Sequence, residues 1–223
     1  MKKSITVNCA RSFIAYIGAP GRKSKRVYLL DSKCSGALDD PIWIRGALTT
    51  TALRKRPQQI SKPTGSLGYK DAFQVAEKSV SAFISNMRTA SGNDYTDILM
   101  CICKELAKEV SKLGIYWSFG RSQKFFNILT KYWYCVAVGY HERLEQNDLE
   151  FVESLSSHFH APVDSITLRH IKADMIWPPL KGVYWGWNMD NKTYLSIQDW
   201  ISKQGAAIGL TRLEYELIKI WPL

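Results

Sequence analysis

From Ala72 onward, apolar residues recur at intervals of three and four, and this period constrains the fold more than any other feature of the chain. Ala72, Val75, Ala76, Val80, Phe83, Ile84 and Met87 form one stripe. Ile98, Leu99, Ile102, Leu106 and Val110 form a second, with Asn93 or Asp94 placed to cap it and Gly114 to end it. A third helix is predicted from about Ser122 to Tyr140, carrying Phe125, Phe126, Ile128, Leu129, Tyr132, Trp133, Val136 and Ala137. Shorter ones follow: near Asn147–Asp148 with Leu149, Val152 and Leu155, after Pro162-Val163-Asp164 through Ile171, then Tyr194–Lys203 and Leu210–Ile220. A period of 3.6 residues brings each stripe to one helix face, and such faces must be buried against one another. The expected fold class is mainly α, with a compact helical body over residues 69–223.

The first 68 residues read differently. Gly18, Pro20 and Gly21 break one stretch, and Pro57, Pro63 and Gly65 another. Val27-Tyr28-Leu29-Leu30 has the look of a short strand, and Ile42-Trp43-Ile44 of an apolar anchor. This region is expected to be an irregular arm laid on the body. Charge separates the two parts. Residues 1–70 hold fourteen Lys and Arg against three Asp, whereas the rest of the chain holds sixteen basic and seventeen acidic residues. The whole has a formal charge of +10. The excess concentrates at Arg22-Lys23-Ser24-Lys25-Arg26 and Arg54-Lys55-Arg56. Concentrated positive charge attracts polyanions, nucleic acid above all. It equally describes a solvated basic surface. A membrane surface fits less well, because the clusters sit among Gly, Pro, Ser and Thr rather than on an amphipathic helix.

Other classes are set aside. No window has the roughly 18 consecutive apolar residues of a membrane span, and the start Met1-Lys2-Lys3-Ser4 does not read as a secretory signal. The five cysteines, Cys9, Cys34, Cys101, Cys103 and Cys135, are odd in number and form no C-x-x-C pair, so neither a disulfide frame nor a zinc site is expected. The expected setting is the cytoplasm and the expected state a monomer. His158, His160, His170 and Asp164 match no metal-ligand spacing. Glu142, Glu145, Asp148, Glu150 and Glu153 read as a solvated helix face. No metal and no cofactor is expected.

Two segments carry the chemistry. Gly114–Leu129 reads as a helix end, a glycine-bounded hairpin ending at Gly120-Arg121-Ser122-Gln123, and a helix that opens with Lys124. Ala161-Pro162-Val163-Asp164-Ser165 brings one aspartate to the start of another helix. Asp164 there is a good N-cap, a role compatible with facing a cleft. Lys124 on an ordinary helix would be solvated. Trp133 and Trp200 read as core, whereas Trp117, Trp185 and Trp187 flank glycines and sit nearer to a binding role.

Lys124 followed by Asn127, together with Pro162-Val163-Asp164-Ser165, resembles the helix-hairpin-helix DNA glycosylase superfamily, which includes endonuclease III and the 8-oxoguanine glycosylases. The resemblance covers about residues 95–172 and is partial: the hairpin lacks the usual Gly-x-Gly, Ile166 stands where many members have His, and forty residues separate Lys124 from Asp164. There is no four-cysteine cluster motif. What the resemblance implies is specific. Asp164 would be the catalytic carboxylate and Lys124 a lyase nucleophile or phosphate ligand. Gly120, Arg121, Ser122 and Gln123, with Arg22, Lys23, Lys25, Arg26, Arg54, Lys55 and Arg56, would hold double-stranded DNA. Tyr116, Trp117, Phe119, Trp185 and Trp187 would surround an extruded base. The expected activity is excision of a damaged or modified base to leave an abasic site, in repair or against hypermodified phage DNA. The alternatives are a nucleic-acid-binding protein without activity and, below it, a metal-dependent nuclease using Asp148, Glu150 and Lys172.

Overall fold

A single helix, Phe119–Gly139, organises the molecule. From Phe125 onward its sequence is mostly apolar, and a helix of that kind is stable only where it is surrounded. All of its residues but Phe119 and Val138 are buried. The computed structural model describes residues 2–18, 36–51, 67–173, 183–184, 186 and 188–221. Along them run α1 (Lys2–Gly18), α2 (Pro41–Thr51), α3 (Leu67–Thr89), α4 (Tyr95–Lys112), the central α5 (Phe119–Gly139), α6 (Gln146–Leu155), α7 (Ser165–Ala173), α8 (Asn191–Ala207) and α9 (Arg212–Tyr215). α9 passes directly into a π-helical turn, Glu216–Ile220. No strand occurs among the described residues. The fold is mainly α.

α1, α2, α4 and α6 pack around α5, and α3 closes the outside against α4 and α2. Their shared core is rich in rings: Phe83 lies 5.2 Å from Phe126 and 6.4 Å from Trp133, centroid to centroid. A smaller second core gathers Ala161, Val163, Leu168, Ile171, Tyr194, Ile197, Trp200, Tyr215 and Ile220 around α7 and α8. Gly205 lets α9 fold back on α8, because a Cβ there would stand 2.7 Å from the Leu210 carbonyl oxygen.

The N-terminal region corrects the expectation of an irregular arm. Two helices from it enter the main core, through Ala10, Phe13, Ile14, Trp43, Ile44, Ala47 and Leu48. Their signals are local. Thr6, Ala10, Phe13 and Ile14 share one face at helical spacing. Asp40 caps α2 by accepting the Ile42 N–H at 2.7 Å, and Pro41 takes the first helical position. The segment before α2 is then fastened inside: the Trp133 indole N–H donates to the Leu38 carbonyl at 3.1 Å, and the Leu38 N–H donates to Asp148 Oδ2 at 3.1 Å. Charge and turn formers outweighed these stripes in the sequence. The strand expected at Val27–Leu30 lies outside the described residues.

Asp148 corrects a second expectation. It is buried rather than solvated, and it pairs with Arg88 of α3 as well as with the Leu38 N–H. Buried carboxylates need such partners. Glu150 stays exposed and accepts from Gln146 at 2.6 Å.

Candidate active site

Ser118 fixes where α5 begins. Its backbone is extended, its Oγ accepts the Arg121 N–H at 3.3 Å, and its hydroxyl donates to the Gly186 carbonyl at 2.9 Å. The chain reaches it from α4 through a turn at Leu113 and Gly114, where Gly114 takes φ +72. Gly120 is therefore inside the first helical turn and not in a hairpin. Starting three residues earlier than expected sets Gly120–Gln123 into the interior. Ser122 accepts the Trp117 indole N–H at 2.9 Å. Gln123 Nε2 donates to the carbonyls of Gly120 and Val163, each at 2.8 Å. Arg121 Nη1 donates to the Tyr116 carbonyl at 2.7 Å while its guanidinium lies 5.3 Å from the Tyr116 ring centroid, and burial lowers its proton affinity. Four residues expected on a phosphate-binding hairpin are thus buried, with side chains or backbone engaged internally. Trp117 is likewise core rather than base platform. Tyr116 and Phe119 are half-buried, and Phe119 stands edge-on to Tyr194 at 5.7 Å.

Lys124 and Asp164, by contrast, come together. Forty positions apart in sequence, they form an ion pair with Nζ 3.3 Å from Oδ2, each side chain about 10% exposed. Asp164 also caps α7: its Oδ1 accepts the N–H of Ile166 at 2.8 Å and of Thr167 at 3.2 Å. One oxygen holds the helix and the other faces the lysine.

The loop that delivers Asp164 is held by two buried amides and a buried imidazole. From α5, Asn127 Nδ2 donates to the Ala161 carbonyl at 3.3 Å and to Tyr194 Oη at 2.8 Å. From α8, Gln198 clasps Ala161 twice, accepting its N–H at 3.0 Å and donating to its carbonyl at 2.7 Å. Between them His160 bridges Tyr194 Oη at 2.8 Å and Thr96 Oγ1 at 3.1 Å. Burial pushes the His160 imidazole down to about 3, so it is neutral near pH 7. The same burial raises the Tyr194 phenol well above its ordinary value. Asn127 matters as a strut for this loop, a role the sequence did not disclose.

Two turns beyond Lys124, Lys131 makes a second pair. Its Nζ lies 2.6 Å from Glu216 Oε2 in the π-helical turn, with both side chains about 1% exposed. The ammonium also sits 3.9 Å from the Phe13 ring centroid and 5.2 Å from that of Trp221. Burial raises the Glu216 carboxyl, and Lys131 counters it. The sequence carries a signal for this pair: a lysine in the mostly apolar run Ile128–Val138 demands a buried partner.

The basic clusters Arg22, Lys23, Lys25, Arg26 and Arg54, Lys55, Arg56 lie outside the described residues, as do Trp185 and Trp187. Among the described residues no group of three His, Cys, Asp or Glu is placed to hold a metal ion, and no helix is long and apolar enough to cross a membrane.

No family model, curated protein or solved structure matches this chain. What the site does must be read from its own geometry. A lysine fixed on α5 and a carboxylate fixed by a braced loop at the start of α7, each about a tenth exposed, are suited to stabilising a developing positive charge and to covalent attack by an amine.

Proposed function

We propose that this protein is a DNA glycosylase, with Asp164 as the catalytic carboxylate and Lys124 as the amine nucleophile. The observation that carries the reading is the Lys124–Asp164 pair itself. Cleaving an N-glycosidic bond builds positive charge on the sugar, and a carboxylate held beside C1′ stabilises that charge. The Lys124 amine, once it has lost its proton, attacks C1′ as the bond to the base breaks. The departing base takes the bonding electron pair and then a proton, and the Nζ–C1′ adduct opens to a Schiff base that permits strand cleavage. The excess of Lys and Arg in residues 1–70 supports a polyanionic substrate. With a tenth of each side chain exposed, the pair must be uncovered when an extruded base and its sugar enter. The proposed substrate is a damaged or modified base in double-stranded DNA, with hypermodified phage DNA among the substrates to try.

A second reading has its own support. Asp164 caps a helix and Lys124 is nearly enclosed, as a structural clasp would be. The protein would then bind nucleic acid without cutting it.

One experiment separates the two. Protein is incubated, with EDTA present, on DNA containing uracil or 8-oxoguanine and on hypermodified phage DNA, and breaks are scored before and after alkali. Alkali-revealed breaks that vanish in Asp164→Asn support the glycosylase. Loss of borohydride trapping in Lys124→Ala assigns the Schiff base. DNA binding with no abasic product on these substrates supports the clasp.

A further inference from the structure

A cleft of about 380 Å³ lies between α1, α5, α6 and the turn that joins α8 to α9. It shares no residue with the Lys124–Asp164 pair. Tyr134, on its lining, is ten residues beyond Lys124 on α5, about 15 Å along the axis. Val7, Ala137, Val138, Val152 and Leu210 give the cleft apolar walls. Two of the five large apolar side chains exposed among the described residues, Ile5 and Ile208, directly adjoin this lining in the chain. Concave volumes of this size hold small ligands, which apolar walls enclose and a few polar groups orient.

The polar groups of the lining share one character. Tyr134 gives its phenolic proton to Glu214 Oε1 at 3.0 Å, and burial together with the Glu214 charge keeps that proton on the phenol. The Ser156 hydroxyl donates to the Glu153 carbonyl at 2.9 Å. The N–H groups of Gly209 and Leu210 donate to the Ala206 and Gly205 carbonyls, at 3.1 and 2.9 Å. With these protons committed inside the protein, what remains for a ligand is lone pairs and two carboxylates, Glu153 and Glu214, which only accept. Glu214 is half-buried and Glu153 exposed. None of the eleven lining residues is Lys, Arg or His, in a chain with 30 Lys and Arg. Among the described residues neither carboxylate has an ion-pair partner. A half-buried carboxylate without a countercharge is costly to hold beside apolar walls, and a bound cation would offset that cost.

We propose that this cleft is a binding site for a small amphipathic cation, a protonated primary amine on a short alkyl or aryl body. The ammonium donates to Glu214 and to the Tyr134 oxygen, and Glu153 adds negative charge at the rim. The apolar body lies against Val138, Val152 and Leu210. A concave volume of this size, rather than a flat apolar face, suits a free small molecule. The inference does not depend on the reading of Lys124 and Asp164.

The test uses full-length protein with 13C-labelled Val and Leu methyl groups, titrated with hexylamine and with phenethylamine at about pH 7, where an alkylamine carries its proton. NMR follows the methyl signals of Val7, Val138, Val152 and Leu210, assigned by single Val→Ile and Leu→Met exchanges. These signals should shift saturably, with a Kd of about 1 mM or tighter. Hexanol, the neutral isostere, should bind about tenfold more weakly, and hexanoate more weakly still. Glu214→Gln keeps the acceptor that caps α9, so the fold should persist while hexylamine binding weakens about tenfold. Glu153→Gln, at an exposed charge, should weaken it about two- to fivefold. Methyl signals that do not shift saturably, hexanol binding as tight as that of hexylamine, or indifference to Glu214→Gln overturns the proposal. If Glu214→Gln does not fold, the ratio of amine to alcohol affinity on wild type decides. Nα-acetyl-lysine amide presents the same ammonium as a protein would, and tighter binding of it than of hexylamine overturns the assignment to a free amine. Abasic-site formation is a separate result, so the glycosylase can fail while the amine site stands, or the reverse.

Discussion

Two ion pairs sit on one face of α5 and differ in almost everything but charge. Lys131–Glu216 is short, at 2.6 Å, about 1% exposed and roofed by the rings of Phe13 and Trp221. Lys124–Asp164 is longer, at 3.3 Å, and ten times as exposed. The inner carboxylate gives one oxygen to its lysine and leaves the other unmatched among the described residues. The outer one gives an oxygen to two backbone N–H groups and turns the other to its lysine. The inner pair is sealed from solvent. The outer pair is held by a loop that other residues brace, and it retains a path to solvent. Burial alone does not mark a reactive site. Anchoring by the backbone together with residual access is what the proposed reactive pair has and the sealed pair lacks.

The comparison breaks first at Asp164. Asp164→Asn keeps an acceptor for the Ile166 and Thr167 N–H groups while removing the charge, so the fold should persist and, under the proposed function, base release should fall by a factor of about 10²–10³. Retained base release would make the outer pair as structural as the inner one. Removing one partner of the inner pair should instead cost stability, about 3–5 kcal/mol for Glu216→Leu, measured by urea unfolding. Converting both residues, as Lys131→Met/Glu216→Leu, should recover most of that loss. A single variant as stable as wild type would mean the pair is not sealed.

Next in size is the loop that carries Asp164. His160 is neutral in the fold down to about pH 3, whereas in the unfolded chain it protonates near its ordinary value of 6.5. Between these values the unfolded state binds the extra proton, so stability rises with pH across the window. It is fully present above about 6.5 and is lost toward 3, by roughly 1.4 kcal/mol per unit from this one group. His160→Gln should flatten that slope in unfolding experiments at pH 4–6, and an unchanged slope would place the titration elsewhere. Smaller again, Asp148→Asn should cost about 1–3 kcal/mol by leaving Arg88 without its carboxylate and weakening the bond from the Leu38 N–H. At the bottom lies Lys203–Asp199, a solvated pair at 2.7 Å with side chains 72% and 60% exposed, where Asp199→Asn should leave Tm unmoved.

The helices were legible where a long apolar stripe ended in a clear cap or glycine. α4 runs to Lys112 just before Gly114, and α3 carries the stripe from Ala72 to Met87 on one buried face. α1 and α2 were missed because their stripes are short and lie in a strongly basic, proline- and glycine-punctuated region. α5 was found, but its start was misplaced. Ser118 is an ordinary capping residue, and Gly120 drew attention away from it. That shift of a single helical turn buries Gly120–Gln123, which sequence had placed at a surface.

The residue types at positions 124 and 164 come from sequence alone, as do the helical periods and the concentration of charge before residue 70. A lysine after a helix start and an aspartate before one are both local facts, set by composition and capping. Their meeting is not local. It depends on α5 being surrounded on every side, on Asn127 and Gln198 gripping Ala161, and on the turn that carries Glu216 folding back beneath them. Period and capping specify each helix within a few turns of itself. Only tertiary packing decides which buried charges share a dielectric, and therefore which of two lysines on one helix is sealed and which is left within reach.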